Sequence, residues 1–167
     1  MRRFRGESIH KVDSKGRVSV PAQFRRVLEE GDPDFISGQN PSCALVYGRK
    51  ERRCIEGYSI AAINEVDNLV SKLPRYSRER EILERMLNTQ SSYAQIDDNG
   101  RLVLSIKLRQ MIGISDEAIL IGMGDKFQIW EPELYKKDMH DLEREFDSYT
   151  ETDNPLRLLQ SNFSQAG

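Results

Sequence analysis

The stretches "DSKGRVSVPAQFR" (Asp13–Arg25) and "DDNGRLVLSIKLR" (Asp97–Arg109) align without gaps, and reading them as two copies of one unit decides the fold. They share Asp, Gly, Arg and a closing Arg at the same internal spacing. Each begins with a tight turn. Asp13 and Asp97 supply a carboxylate for local backbone bonds, and Gly16 and Gly100 supply a residue that tolerates positive φ. Val18 and Val20 in one copy, and Leu102 and Leu104 in the other, are spaced by two and mark one face of a strand.

The repeat continues beyond these stretches. "ALVYGRKERRCI" (Ala44–Ile55) aligns with "AILIGMGDKFQI" (Ala118–Ile129), matching Leu45 with Ile119, Val46 with Leu120, Tyr47 with Ile121, Gly48 with Gly122 and Ile55 with Ile129. Each unit reads as strand, turn, strand, short helix, strand, turn, strand. Pro21 stands where strand gives way to helix, a place that tolerates a missing N–H. Ser105 replaces it in the second copy, which predicts a looser junction there. Phe24, Val27 and Leu28 follow helical spacing, as do Ile106, Leu108, Met111 and Ile112, with Gly113 as a stop signal. Gly122 to Asp125 is the predicted turn of a hairpin beginning at Ala118.

Between the units, Ile60, Ile63, Val66, Leu69 and Val70 form an apolar helical stripe. Pro74 interrupts it, and Ser77 starts a second helix carrying Ile82, Leu83, Met86 and Leu87. After the second unit, Leu134, Met139, Leu142 and Phe146 form another stripe. The end of the chain, with Leu156, Leu158, Leu159 and Phe163, reads as frayed or docked on a partner. The fold class is therefore α+β. Its divisions are 1–57, a helical connector 58–91, a second unit 92–135, and a C-terminal helix and tail 136–167.

Composition narrows the function. The chain has 167 residues and a net charge of −2. Residues 1–55 nevertheless carry twelve Lys/Arg against seven Asp/Glu, and the remainder is net acidic. A locally basic segment suits a polyanion, because the local field is what a phosphate meets. No apolar run approaches membrane-spanning length, and "MRRFRGES" lacks the apolar core of a secretory signal. Cys43 and Cys54 match no common zinc spacing, so no metal is expected, and no cofactor motif is present. His10 and His140 lack a neighbouring nucleophile, and Asp97 and Asp98 sit in a turn. The chain reads as no enzyme and takes no small-molecule substrate. A cytoplasmic protein is the expectation.

Together with "FRG" at Phe4–Gly6 and the closing "GMGDKFQIWE", the paired turns resemble the MraZ family, which carries two SpoVT-AbrB units in one chain. The resemblance covers roughly residues 1–150. It implies two pseudo-symmetric, AbrB-like swapped-hairpin β units forming an intrachain pseudo-dimer. It also implies a nucleoid-associated transcriptional regulator, read here as a repressor at the promoter of the division and cell-wall gene cluster. The implied assembly is a ring-shaped homo-oligomer. The family's turn motif falls on Asp13, Lys15, Gly16 and Arg17, and again on Asp97, Asn99, Gly100 and Arg101.

These residue types suit double-stranded DNA. An arginine projecting from a hairpin can bond guanine O6 and N7 together, contributing about 1–3 kcal/mol of discrimination. Arg17 and Arg101 are the candidates, with the alternative that each pairs internally with Asp13 or Asp97. Lys15 suits phosphate as a point charge, and Asn99 weakens the second turn. Arg3 and Arg5, beside Arg2, form a basic start that can reach backbone or groove. Arg25 and Arg109 read as structural or interface residues. "GRKERR" (Gly48–Arg53) is an auxiliary basic cluster. The alternative function is a protein-interaction module, since AbrB-like units also occur in antitoxins. A ring presenting many turns predicts binding to tandem short repeats about one helical turn apart.

Overall fold

A computed structural model of the chain describes residues 2–48, 53–149 and 154–159. The basic stretch Gly48–Arg53 and the apolar end at Phe163 fall largely outside these residues. The chain divides into two compact units, Met1–Pro132 and Glu133–Gly167.

In the first unit, strands β1 (Glu7–Lys11) and β2 (Arg17–Ser19) precede helix α1 (Ala22–Glu30). Strands β3 (Ser42–Val46) and β4 (Cys54–Ser59) follow, then helices α2 (Ile60–Ser71) and α3 (Arg78–Thr89). The pattern recurs as β5 (Ser91–Gln95), β6 (Arg101–Val103), α4 (Ile106–Ile112), β7 (Glu117–Gly122) and β8 (Lys126–Trp130). One antiparallel sheet has the order β1-β7-β8-β4-β3-β5, and β2 with β6 forms a separate two-stranded ribbon. The class is α+β, as the patterning predicts.

The strands on either side of each turn do not form a ladder with one another. Among the described residues, an isolated Val12–Val18 bridge and a bond from Asp13 N–H to Arg17 O join the two sides of the first turn. β1 lies instead against β7, and β5 against β3, while β2 pairs with β6 from the other half of the chain. Two hydrogen bonds extend the β2–β6 exchange: Leu104 N–H donates to Gly16 O at 2.8 Å, and Val20 N–H to Gly100 O at 2.9 Å. Every backbone group buried here needs a partner, and each half supplies the other's.

Strand register corrects the sequence alignment of the hairpins by one residue. Lys11 and Gln95 hold equivalent places in the repeat, and they face Glu117 and Ser42. Leu45 therefore corresponds to Leu120 rather than Ile119, and Cys43 to Ala118; all four are buried. Continuing through the hairpins puts Ile55 in the place of Phe127 and Gly57 in that of Ile129. That exchange has a packing reason. Any side chain at Gly57 would overlap the Phe127 ring, so one bulky group fills space the other copy leaves open.

The core gathers Val18, Val20, Leu28, Leu102, Leu104, Ile112, Leu120 and Ile129 between the main sheet, the ribbon, α1 and α4. Phe4 completes it, edge-on to Phe24 at 5.3 Å and to Phe127 at 5.2 Å between ring centres. On the opposite face of β4 and β8, Glu56 is buried but accepts from Gln128 Nε2 at 3.0 Å, and Lys126 Nζ lies 3.6 Å from the same oxygen. Gln128 Oε1 in turn accepts from Trp130 Nε1 at 2.9 Å. This chain of donors offsets the desolvation of a buried carboxylate.

The helix signals are met with one exception. Ser77 caps α3 through Arg80 N–H, and Gly113 ends α4 in the left-handed region at φ 75°. Ser105 does not loosen its junction. Its backbone (φ −61°, ψ 159°) matches that of Pro21 (φ −52°, ψ 143°), and its hydroxyl accepts from Leu108 N–H at 3.2 Å. The serine gives a side-chain cap that proline cannot. Helix α3 buries no residue, leaving Ile82, Leu83 and Met86 partly exposed. In the second unit, α5 (Pro132–Tyr149) exposes Met139 and Leu142, and Leu156, Leu158 and Leu159 are exposed as well.

Gly16 combines φ 82° with a position where a Cβ would overlap the Leu104 carbonyl oxygen. Gly38 has φ 88° but open space around it. Gly38→Ala should therefore cost about 1 kcal/mol, and Gly16→Ala more than about 3 kcal/mol, in urea unfolding. Equal losses would show that the interlock of the two halves does not depend on that glycine.

Candidate nucleic-acid interface

Each turn is built from its own aspartate. Asp13 Oδ1 accepts from Lys15 N–H at 3.0 Å and Arg17 N–H at 2.9 Å, and Asp97 Oδ1 accepts from Asn99 N–H at 2.8 Å and Arg101 N–H at 2.9 Å. Gly16 and Gly100 donate back to the carbonyls of Asp13 and Asp97. This satisfies the backbone of a loop that would otherwise need water, and it leaves Lys15 and Asn99 exposed at the tips.

The second aspartate oxygen holds the arginine. Arg17 Nε donates to Asp13 Oδ2 at 2.6 Å; Arg101 Nε lies 3.6 Å from Asp97 Oδ2, buried and without a hydrogen bond. The internal pairs considered from the sequence are thus present. They engage Nε alone, so the two terminal nitrogens of Arg17 have no partner among the described residues. A guanidinium steered by its Nε presents its terminal fork in a fixed direction.

Alternation along the ribbon sorts its side chains. Val18 and Leu102 are fully buried, so Arg17, Ser19, Arg101 and Val103 lie on the outward face. Arg17 stands opposite Val103, and Arg101 opposite Ser19. The two arginines are diagonal neighbours, with Cα atoms about 7 Å apart. Ser19 and Val103 escaped the sequence reading, although period-two alternation from Val18 and Leu102 would have found them. Val103 is 53 % exposed, which is unusual for a valine in a strand.

Arg25 and Arg109 close the arrangement crosswise. Arg25 Nε donates to Val20 O in its own half, and its guanidinium lies within 2.9 Å of where a Cβ on Gly100 would stand. Arg109 Nε donates to Leu104 O and lies equally close to Gly16. Both fill a structural place and add positive charge beside the turns. Five cations (Lys15, Arg17, Arg25, Arg101, Arg109) then face three carboxylates (Asp13, Asp97, Asp98). The second turn is the more restrained, because Asn40 Nδ2 donates to Asp98 Oδ1 at 2.7 Å.

Arg3 and Arg5 lie elsewhere. They precede β1 while the Asp13 turn follows it, and five strand residues separate the two places by about 17 Å. Among the described residues no group of His, Cys, Asp and Glu could hold a metal, and no helix is long and apolar enough to cross a membrane. Cys43 is buried, and that burial pushes its thiol up to about 12.

The chain is similar to known proteins over nearly its whole length. A family model described as "MraZ protein, putative antitoxin-like" matches residues 87–157. A protein of Ruegeria pomeroyi named Transcriptional regulator MraZ is 51% identical over 159 residues, covering 95% of each chain. Proteins of the same name from Cereibacter sphaeroides and Methylocella silvestris are 41% and 33% identical. They cover 81% and 79% of this chain, and 84% and 76% of their own.

Backbone donation from Arg17 holds the Asp13 carboxyl below its ordinary 3.8, and backbone donation from Arg101 does the same for Asp97. The Arg17 charge also lowers Asp97, so the two turns share one field. A carboxyl depressed in the folded state stabilises it above the ordinary value and loses that contribution as pH falls through the lower folded value. The urea midpoint of the wild type should therefore drop more steeply below pH 3.8 than that of Asp13→Asn or Asp97→Asn. Parallel curves would show that these carboxylates do not hold the turns.

Proposed function

The chain belongs to the MraZ family, and from that premise we propose that it regulates transcription by gripping double-stranded DNA through the β2–β6 ribbon. What supports the reading most is the ribbon's outward face, where two arginines from distant parts of the chain stand side by side, Arg17 oriented by its hydrogen bond to Asp13. A two-stranded ribbon fits the major groove, and arginine is the commonest specific reader of guanine there. Arg17 and Arg101 read bases, Lys15 holds phosphate, and Asn99 makes a weaker polar contact. Val103 meets a thymine methyl, the apolar feature of that groove.

The crossed pairing of β1 with β7 and β5 with β3 supports two pseudo-symmetric, AbrB-like swapped-hairpin units, an intrachain pseudo-dimer with bounds near 1–57 and 92–135. The halves work unequally. The first turn has Lys15 and no such tether among the described residues, whereas the second has Asn99 and is held by Asn40. A single chain offers few base contacts, so a ring-shaped homo-oligomer engaging tandem promoter repeats supplies the avidity, about 10²–10⁴-fold. The target is the promoter of the division and cell-wall gene cluster, the action repression, and the place the nucleoid within the cytoplasm.

In a gel shift on DNA upstream of the protein's own gene, Arg17→Ala should abolish specific binding while gel filtration shows an unchanged assembly. Arg101→Ala should weaken binding less. Retained affinity in Arg17→Ala would overturn the assignment. A fragment with three repeats should bind at least about tenfold more tightly than one with a single repeat, and equal affinities would exclude the multivalent mechanism.

A further inference from the structure

A second basic feature lies apart from the ribbon. Arg2, Arg3, Arg5, Gln23, Arg26 and Val27 line an open groove of about 400 Å³, with no carboxylate among the described lining residues. Arg2 Nε reaches Glu30 Oε1 at 3.3 Å. Arg3, Arg5 and Arg26 form no ion pair among the described residues. Three uncompensated guanidinium groups thus converge on one depression, where like charges repel unless an anion enters.

The frame holding them is rigid. Phe4 N–H donates to Gly124 O at 2.8 Å, Gly124 N–H returns a bond to Phe4 O at 3.0 Å, and Gly122 N–H donates to Gly6 O. Phe4 is 1 % exposed within the aromatic cluster. Extended backbone on both sides of it sends Arg3 and Arg5 to the opposite, solvent face. Gly124 leaves room for the Arg3 guanidinium, whose Nη2 lies 2.6 Å from where a Cβ would stand. On α1, Phe24, Val27 and Leu28 point inward, and Arg26 meets the same groove from the other side.

We propose that this groove is a phosphate-binding site, separate from the paired turns, that takes two or more linked phosphate groups. Guanidinium forks match phosphate oxygens in pairs. Every residue of a nucleic-acid strand carries a charge, whereas an acidic strand presents one on a given face only at alternate residues. Linked phosphates therefore suit several converging guanidinium groups. The phosphates come from a DNA backbone or from a free phosphorylated compound. In the first case the inference deepens the proposed function, and in the second it stands without it.

The full-length protein and its Arg5→Gln and Arg26→Gln variants are compared in two experiments. If the DNA backbone is the source, each variant lowers the slope of log affinity against log salt by about 1, equally on promoter and random DNA. If a free compound is the source, the slope is unchanged, and calorimetry with sodium tripolyphosphate shows affinity falling about tenfold per variant. Unchanged slope together with unchanged tripolyphosphate binding overturns the proposal, as does poly-glutamate competing as well as tripolyphosphate. Arg17→Ala should alter discrimination between sequences without altering tripolyphosphate affinity. Failure of the ribbon reading is thus distinguishable from failure of this one.

Discussion

The exchange of backbone hydrogen bonds between Leu104 and Gly16, and between Val20 and Gly100, is the constraint on which the larger unit depends. Each bond contributes only about 1 kcal/mol net. Its force is geometric. A strand leaving one turn completes its hydrogen bonding only at the turn of the other half, so neither half closes its backbone alone. The two glycines permit this, because a Cβ would meet the Leu104 carbonyl at one and the Arg25 guanidinium at the other.

The same interlock assembles the candidate interface. Once β2 and β6 are paired, Val18 and Leu102 must face the core, and Arg17 and Arg101 must face outward together. The aspartates close the turns through one oxygen, and the other oxygen steers Arg17 by a hydrogen bond while it faces Arg101 as a charge only. Arg25 and Arg109 brace each half against the other while enriching the positive field. Stability and surface charge are built from one set of residues, so an alteration to the turns affects both.

Much of the local structure was legible in the chain. The turns were visible in Asp-x-x-Gly-Arg, α1 and α4 in their apolar spacing, and the α2–α3 break in Pro74 followed by Ser77. The hairpin alignment slips by one residue when Gly48 and Gly122 are matched, whereas strand register puts Ile55 in the place of Phe127, whose ring fills the space left by Gly57. Ser105 looked like a loss because the proline was absent, and its capping hydroxyl became evident only with the helix in place. Arg3 and Arg5 were grouped with Arg17 by sign of charge, and β1 holds them apart.

By itself the sequence determined where the chain turns, where helices begin and end, and which side chains are apolar on each element. Local backbone preference and spacing suffice for those, because they concern neighbours within a few residues. Only the tertiary structure decided which strand lies beside which. Backbone donors and acceptors are alike at every residue, so a strand carries no label for a partner 84 positions away. The outward placement of Arg17 beside Arg101, the crossing of Arg25 and Arg109, and the separate basic groove all follow from that choice of partners.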